Sequence, residues 1–239
     1  MSIAIHSAIT VPEGDSVTVK RLMPVHGLRN CDPFVLWDHF DISSGGFPNH
    51  PHRGFEAITY IFAGGMKHTD NLGNAGSVHA GGAQRFTAGR GIVHSEFPDG
   101  HAAGIQLWIN LPQRLKSLEP DYQQLQAGEI PGLNNDGVHI RTIVDQEKAI
   151  KLHTPVEYLD IRMEADSRLE RNIDIKFRGF IYAVQGSVDI NGLPVSSGQA
   201  VFIEHETSVR ITSRADSQLM WCFGLPHFEP INQHGPYVD

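Results

Sequence analysis

The sequence predicts an all-β protein built as two barrels, and three observations carry that expectation. Helical periodicity is scarce along the chain. In its place stand short alternating or β-branched runs separated by Gly, Pro and Asn, the pattern of a sandwich or barrel. A faint internal echo then suggests that the barrel occurs twice. Val78-His-Ala-Gly81-Gly-Ala83 returns 117 residues later as Val195-Ser-Ser-Gly198-Gln-Ala200, and an aromatic follows each copy (Phe86 and Phe202).

The individual elements follow from these runs. Ser16–Lys20, Ala57–Phe62, Ile105–Asn110 and Val156–Met163 read as strands. Pro112 to Gln126 predicts a short helix, shortened or broken by Pro120. In the second half, the runs from Phe180 and Gly186 and the Asn191-Gly192 pair predict a hairpin, because Asn-Gly tolerates the positive φ of a two-residue turn. After Gly224, Pro226, Pro230 and Pro236 predict an extended arm lying over another part of the protein. The polar, Gly-rich stretch Gly128–Gly137 marks the boundary. The expected units are therefore residues 1–130, 138–225 and an arm at 226–239.

Composition narrows the function classes. At 239 residues, 40% hydrophobic and 19% charged, the chain reads as an ordinary soluble globular protein with ample core. A formal charge of −8 argues against direct nucleic-acid binding, which needs clustered Lys and Arg. No apolar run approaches the roughly 20 residues a membrane helix requires. The first ten residues lack the basic start and apolar stretch of a signal peptide. Cys31 and Cys222 read as two free thiols in a reducing compartment, so the expected location is cytoplasmic.

The chemistry is concentrated in Gly46-Phe-Pro-Asn-His50-Pro-His52-Arg-Gly-Phe-Glu56 and Gly91-Ile-Val-His94-Ser-Glu96. Side chains alternate along a strand, so His50 and His52 share a face, as do His94 and Glu96. Two such strands side by side aim three imidazoles and a carboxylate at one point, a set suited to a borderline divalent metal. Spacing alone also admits Glu56, in phase with His50 and His52, as the carboxylate or as a residue orienting a ligand imidazole. Gly54 is expected to keep the site clear of a side chain, and Gly89 and Gly91 to permit a tight turn before His94. His39, His68, His79 and His101 lack such partners and read as structural or solvated. Thr87-Ala-Gly-Arg-Gly is not a phosphate loop, no Gly-x-Ser-x-Gly elbow is present, and neither cysteine has a nucleophile setting. Free imidazoles titrate near pH 6.5, so protons should displace the metal as pH falls through roughly 6 to 5.

His-x-His, a Glu four residues on and Gly-x-x-His some forty residues later resemble the two motifs of the cupin superfamily. The longer strings His50–Glu56 and Thr87–Glu96, with the ending Gly224-Leu-Pro-His-Phe-Glu-Pro-Ile-Asn-Gln-His-Gly-Pro-Tyr-Val238, resemble the pirin family over nearly the whole chain. That resemblance implies a bicupin, two double-stranded β-helix (jelly-roll) barrels with few short helices, and metal only in the first. At the echo offset, His94 and Glu96 fall on Ile211 and Ser213, which agrees. The resemblance favours Glu96 over Glu56 and implies His50, His52, His94 and Glu96 as ligands of one divalent ion. Fe2+ is preferred, with Mn, Co, Ni, Cu or Zn as alternatives.

Several pirins act as quercetin 2,3-dioxygenases, opening a flavonol ring with O2 and releasing CO. By analogy Glu96 would take the proton of the flavonol 3-hydroxyl. The aromatic residues near the motifs, Phe47, Phe55, Phe86 and Trp108, are the expected flanks of a flat substrate. Other pirins act through protein partners as metal-sensitive regulators, which is the alternative function. A cupin isomerase that needs no O2 is a third. A monomer is expected, since one chain already holds two barrels.

Overall fold

The computed structural model describes residues 4–239. The first half contains β1 (Ala4–Ser7), β2 (Ile9–Glu13), β3 (Val17–Met23), β4 (Phe34–Ile42) and β5 (Phe47–His52). It continues with β6 (Phe55–Asp70), β7 (Ala75–His79), β8 (Ala83–Thr87), β9 (Ile92–Asn110) and β10 (Asp121–Leu125). The second half adds β11 (Gly132–Asn135), β12 (Val138–Thr142), β13 (Val156–Met163), β14 (Arg168–Asn172), β15 (Arg178–Gln185) and β16 (Ser187–Ile190). It ends with β17 (Leu193–Ser196), β18 (Gln199–Glu204), β19 (Ser208–Ser213), β20 (Ser217–Gly224) and the two-residue strands β21 (Gln233–His234) and β22 (Tyr237–Val238). Among the described residues there is no α-helix, and two 3-10 turns stand in for the expected few short helices.

Every ladder is antiparallel apart from isolated bridges. A nine-stranded sheet runs β10-β8-β6-β9-β4-β3-β2, with β5 against β9 and β7 against β6. A seven-stranded sheet runs β1-β18-β15-β20-β13-β12-β11, and a four-stranded one β14-β19-β16-β17. The sheets stay open rather than closing into continuous barrels. β1 crosses over: Ala4 pairs with Phe202 and Ser7 with Gln199, in the sheet of the second half.

The second half fills the space between its two sheets with apolar side chains. Ile161, Ile181, Val201 and Trp221 come from one sheet, and Val188, Val195, Val209 and Ile211 from the other. A separate buried cluster joins the halves. There the Trp37 ring stands edge-on to Tyr158 and Phe180, with centroids 6.1 and 5.1 Å apart, and tilts against Tyr182 at 5.3 Å. Each such pair adds about 0.5–1.5 kcal/mol beyond the area it buries. The Tyr60 hydroxyl donates across this junction to buried Asp160 Oδ2 at 2.8 Å, and Gln218 Nε2 donates to Oδ1 at 2.8 Å.

Local chemistry explains the turns. Gly81 and Gly198, equivalent in the echo, share φ near +81° and +82°. Asn191 and Gly192, at φ +50° and +85°, close the β16–β17 hairpin, where Ile190 pairs with Leu193. The helix expected over Pro112–Gln126 is instead a turn at Gln113–Leu115 followed by β10, which pairs with β8. Proline at 112 and 120 leaves too few residues for a helix, and Tyr122 and Leu125 find strand partners in Phe86 and Ala83.

The carboxy-terminal residues return to the first half. Val238 N–H donates to Arg53 O at 3.1 Å, and Arg53 forms a bidentate pair with Asp239. Lys116 Nζ donates to Gly54 O, Asn110 Oδ1 and Val238 O. Gly54, at φ +84°, is explained here and not by the site it was expected to clear: an added Cβ would collide with the Val238 carbonyl.

Candidate metal centre

β5 lies against β9 so that His50 pairs with His94, and Phe47 with Glu96. The Nε2 atoms of His50 and His94 are 3.1 Å apart, and the ring centroids of His52 lie 4.6 Å from His50 and 5.0 Å from His94. One ligand atom from each of the three imidazoles falls within 4.8 Å of the others. Two nitrogens bound cis to an ion at about 2.1 Å would sit about 3 Å apart, so the spacing suits a first-row dication.

Proton bookkeeping supports the fit. His50 Nδ1 is 2.7 Å from Pro48 O, and His52 Nδ1 is 3.1 Å from Pro236 O. A carbonyl oxygen can only accept, so each Nδ1 carries the hydrogen and each neutral ring leaves its Nε2 lone pair bare. Burial, then the neighbouring His50, pushes the His52 pKa down to about 3. Burial, then His50, His52 and His68, pushes His94 lower still. Buried imidazoles that refuse protons yet point at one another suit a metal ion.

Glu96 stands one step away. It is buried, and its Oε1 accepts from Gln84 Nε2 at 2.6 Å and from Thr59 Oγ1 at 3.0 Å. It falls within 4.8 Å of His94 and His68, in a second group that shares His94 with the first. It lines the same cavity as His50 and His52. Glu56, the alternative carboxylate, lies elsewhere: Thr87 Oγ1 donates to its Oε1 and His153 N–H to its Oε2, both at 2.9 Å. The positive-φ turn at Gly54 separates β5 from β6, so the phase of His50 and His52 does not extend to Glu56.

Among the other histidines, His39 meets Tyr182 Oη, His101 meets Asp41, and His79 is exposed. His68 is different. It is 1% exposed, stacks on Tyr122, and lies between Asp70 and His94. The sequence held a signal for it, because His68-x-Asp70 is itself an in-phase pair on β6.

A cavity of about 880 Å³ opens over His50 and His52. Phe47, Trp108 and Met66 give it an apolar wall, and Arg21, Asp38 and Glu13 a charged one. Arg21 holds Asp38 through a bidentate pair at 2.8 and 2.6 Å. Phe55 and Phe86, expected beside a substrate, pack behind His52, with Phe86 stacked on its ring at 5.6 Å. Their strands turn them away from the opening and into the apolar cluster with Ile92.

Comparisons with known proteins identify the fold and the family. A family model described as Pirin matches residues 16–109, and one described as the Pirin C-terminal cupin domain matches residues 158–239. Human pirin is 38% identical over 242 residues, covering 95% of this chain and 83% of that protein. Pirin-like protein 2 of Arabidopsis thaliana is 36% identical, covering 95% and 75%. A quercetin 2,3-dioxygenase from Acinetobacter baumannii superposes with a TM-score of 0.89 at 25% identity, covering 98% of this chain and 90% of that one. The bacterial pirin YhhW from Escherichia coli, solved in complex with nickel(II), shares the fold with a TM-score of 0.80 at 24% identity, covering 94% and 99%. The fold is thus an all-β bicupin of the cupin superfamily, and the chain belongs to the pirin family.

Proposed function

We propose that the protein is a metal-dependent dioxygenase that cleaves a quercetin-like flavonol with O2 and releases CO. The observation that carries this reading is the convergence of the His50, His52 and His94 imidazoles beside a cavity that His50 and His52 line, roomy enough for a flat aromatic molecule. The likeness to a quercetin 2,3-dioxygenase supports the same class. His50, His52 and His94 would hold one divalent ion, Fe2+ by preference, with Glu96 as the fourth ligand, in a barrel taken to span residues 1–130. The barrel at 138–225 and the arm at 226–239 would carry no ligand side chain. The ion supplies Lewis acidity toward the flavonol 3-hydroxyl and the redox chemistry that O2 requires.

The remaining work falls to side chains. Glu96 accepts the 3-hydroxyl proton, and the donors Gln84 and Thr59 at Oε1 hold the carboxylate in place to receive it. Phe47 and Trp108 flank the rings and exclude water. The protein would work as a cytoplasmic monomer. The decisive experiment is O2 uptake with quercetin, together with CO detection: His52→Ala should abolish both, and unchanged uptake refutes the reading. The curated relatives are named pirins, which favours a second reading as a metal-sensing protein with protein partners. Metal retention with no flavonol-dependent O2 uptake by the loaded wild-type protein would select it.

A further inference from the structure

We propose that Asp70 and His68 form a positioning pair that fixes which ring nitrogen of His94 carries the hydrogen, leaving Nε2 bare for a cation. The proposal builds on the metal reading of the three histidines. His50 and His52 have their tautomers set by backbone carbonyls, but His94 does not. Its Nδ1 lies 3.4 Å from Nδ1 of His68, and either nitrogen could be the donor. The other side of His68 settles the direction. Its Nε2 lies 3.2 Å from Asp70 Oδ2, and both side chains are 0% exposed.

Asp70 is held as a carboxylate. Burial pushes its pKa up, but hydrogen bonds from Asn74, His68 and the backbone N–H groups of Asn74 and Leu72 outweigh this and hold it below the ordinary range. Leu72 N–H and Asn74 N–H reach Oδ1 at 2.9 and 3.0 Å, and Asn74 Nδ2 reaches Oδ2 at 2.9 Å. An ionised carboxylate only accepts, so His68 Nε2 carries its hydrogen and points it at Asp70. In the uncharged ring the lone pair of His68 is then on Nδ1, where it accepts from His94 Nδ1–H. The His94 lone pair is therefore on Nε2, 3.1 Å from Nε2 of His50. The opposite arrangement would set a His68 lone pair against the Asp70 carboxylate between two side chains with no exposed surface. The chain Asp70–His68–His94 thus fixes the ring orientation and makes His94 a stronger donor.

The test uses the near-isosteric Asp70→Asn. The introduced amide would keep an oxygen for the backbone N–H groups of Leu72 and Asn74 and present its N–H2 to His68, reversing both imidazoles. Nitrogen-15 NMR of the histidine rings in metal-free protein should show hydrogen on His94 Nδ1 in wild type and on Nε2 in Asp70→Asn. His68→Phe, which preserves the stacking on Tyr122, should release the same constraint if Asp70→Asn folds poorly. Zinc(II) affinity, measured against a competing chelator, should fall about 10- to 100-fold in either variant. Hydrogen on His94 Nε2 in wild type, or an unchanged tautomer in both variants, overturns the pair. So does binding of a second zinc by His68, His94 and Glu96 in wild type. The expected tautomer switch without zinc binding by wild type would uphold the pair and sink the metal reading.

Discussion

The two halves share a shell and differ in what they put inside it. Across the first half's ladder His50 faces His94, whereas in the second half's β14–β19 ladder Leu169 faces Ile211. Ile211 is the residue that the echo aligns with His94, and it is fully buried in an apolar core. Around His94 the interior instead holds His52, Thr59, His68, Gln84 and Glu96, all under 4% exposed except Glu96 at 5%. An unpaired buried polar group costs about 1–3 kcal/mol, so an interior of this kind persists only where each member has a partner. The second half is what such a shell becomes without that requirement. The difference sets a buried cluster of imidazoles and a carboxylate in the first half against an apolar filling in the second.

The sharpest way to break the comparison is to give the first half the second half's residue. His94→Ile removes the imidazole common to both ligand groups, and elemental analysis should show metal content falling from about one ion per chain to none. Retained metal would mean that the histidines are not the binding set.

Glu96→Gln is expected to have the next largest effect. Glutamine keeps an oxygen for the Thr59 and Gln84 donors but cannot take a proton. At metal content matched to wild type, flavonol-dependent kcat should fall about 100- to 10,000-fold, the usual contribution of a positioned base, while the apparent quercetin affinity holds. An unchanged kcat with weakened quercetin affinity would assign Glu96 to binding alone.

Acid should also separate the halves. His52, with its pKa lowered to about 3, and His94, lowered further, stay neutral in the folded chain well below the free-imidazole value of about 6.5. As pH falls from about 6.5 toward 3, the unfolded chain takes up protons that the folded chain refuses. Stability of the metal-free protein should therefore drop across that window and be unaffected by these groups above it. Thermal melts from pH 7 to 4 measure the slope, which should flatten in a His52→Leu/His94→Ile variant. The same depressed values revise the sequence expectation of metal loss between pH 6 and 5. Occupancy should persist at pH 5, as dialysis followed by elemental analysis would show.

Much of this was legible in the sequence because the information was local. Alternation put His50 beside His52 and His94 beside Glu96, and Asn191-Gly192 announced its hairpin. What stayed hidden depends on long-range register or on backbone atoms. His68 reaches His94 because β6 and β9 pair across two irregularities, near Ile61/Ala63 and Gly64/Met66, which bring Asp70 opposite His94. The Pro236 carbonyl that fixes His52 lies 184 residues away and has no side-chain signature. Glu56 misled because alternation was carried through Gly54, where the chain turns. Phe55 and Phe86 misled because spacing gives a face, and not which side of that face is open.

The smallest expected effect tests whether the halves are mechanically one. Asn191 holds φ +50° in the second half's hairpin, and its Oδ1 accepts from Arg210 N–H at 2.9 Å. Asn191→Ala places a residue with no such hydrogen bond in the left-handed region, at a cost of about 1–2 kcal/mol. Because Trp37 packs on Tyr158, Phe180 and Tyr182 across the junction, that loss should lower the midpoint of a single urea transition. Zinc affinity of the folded variant should change less than twofold, since the turn touches none of the three imidazoles. A biphasic transition would show two independently folding shells, and a large loss of affinity would place part of the metal site's support in the half that carries no ligand.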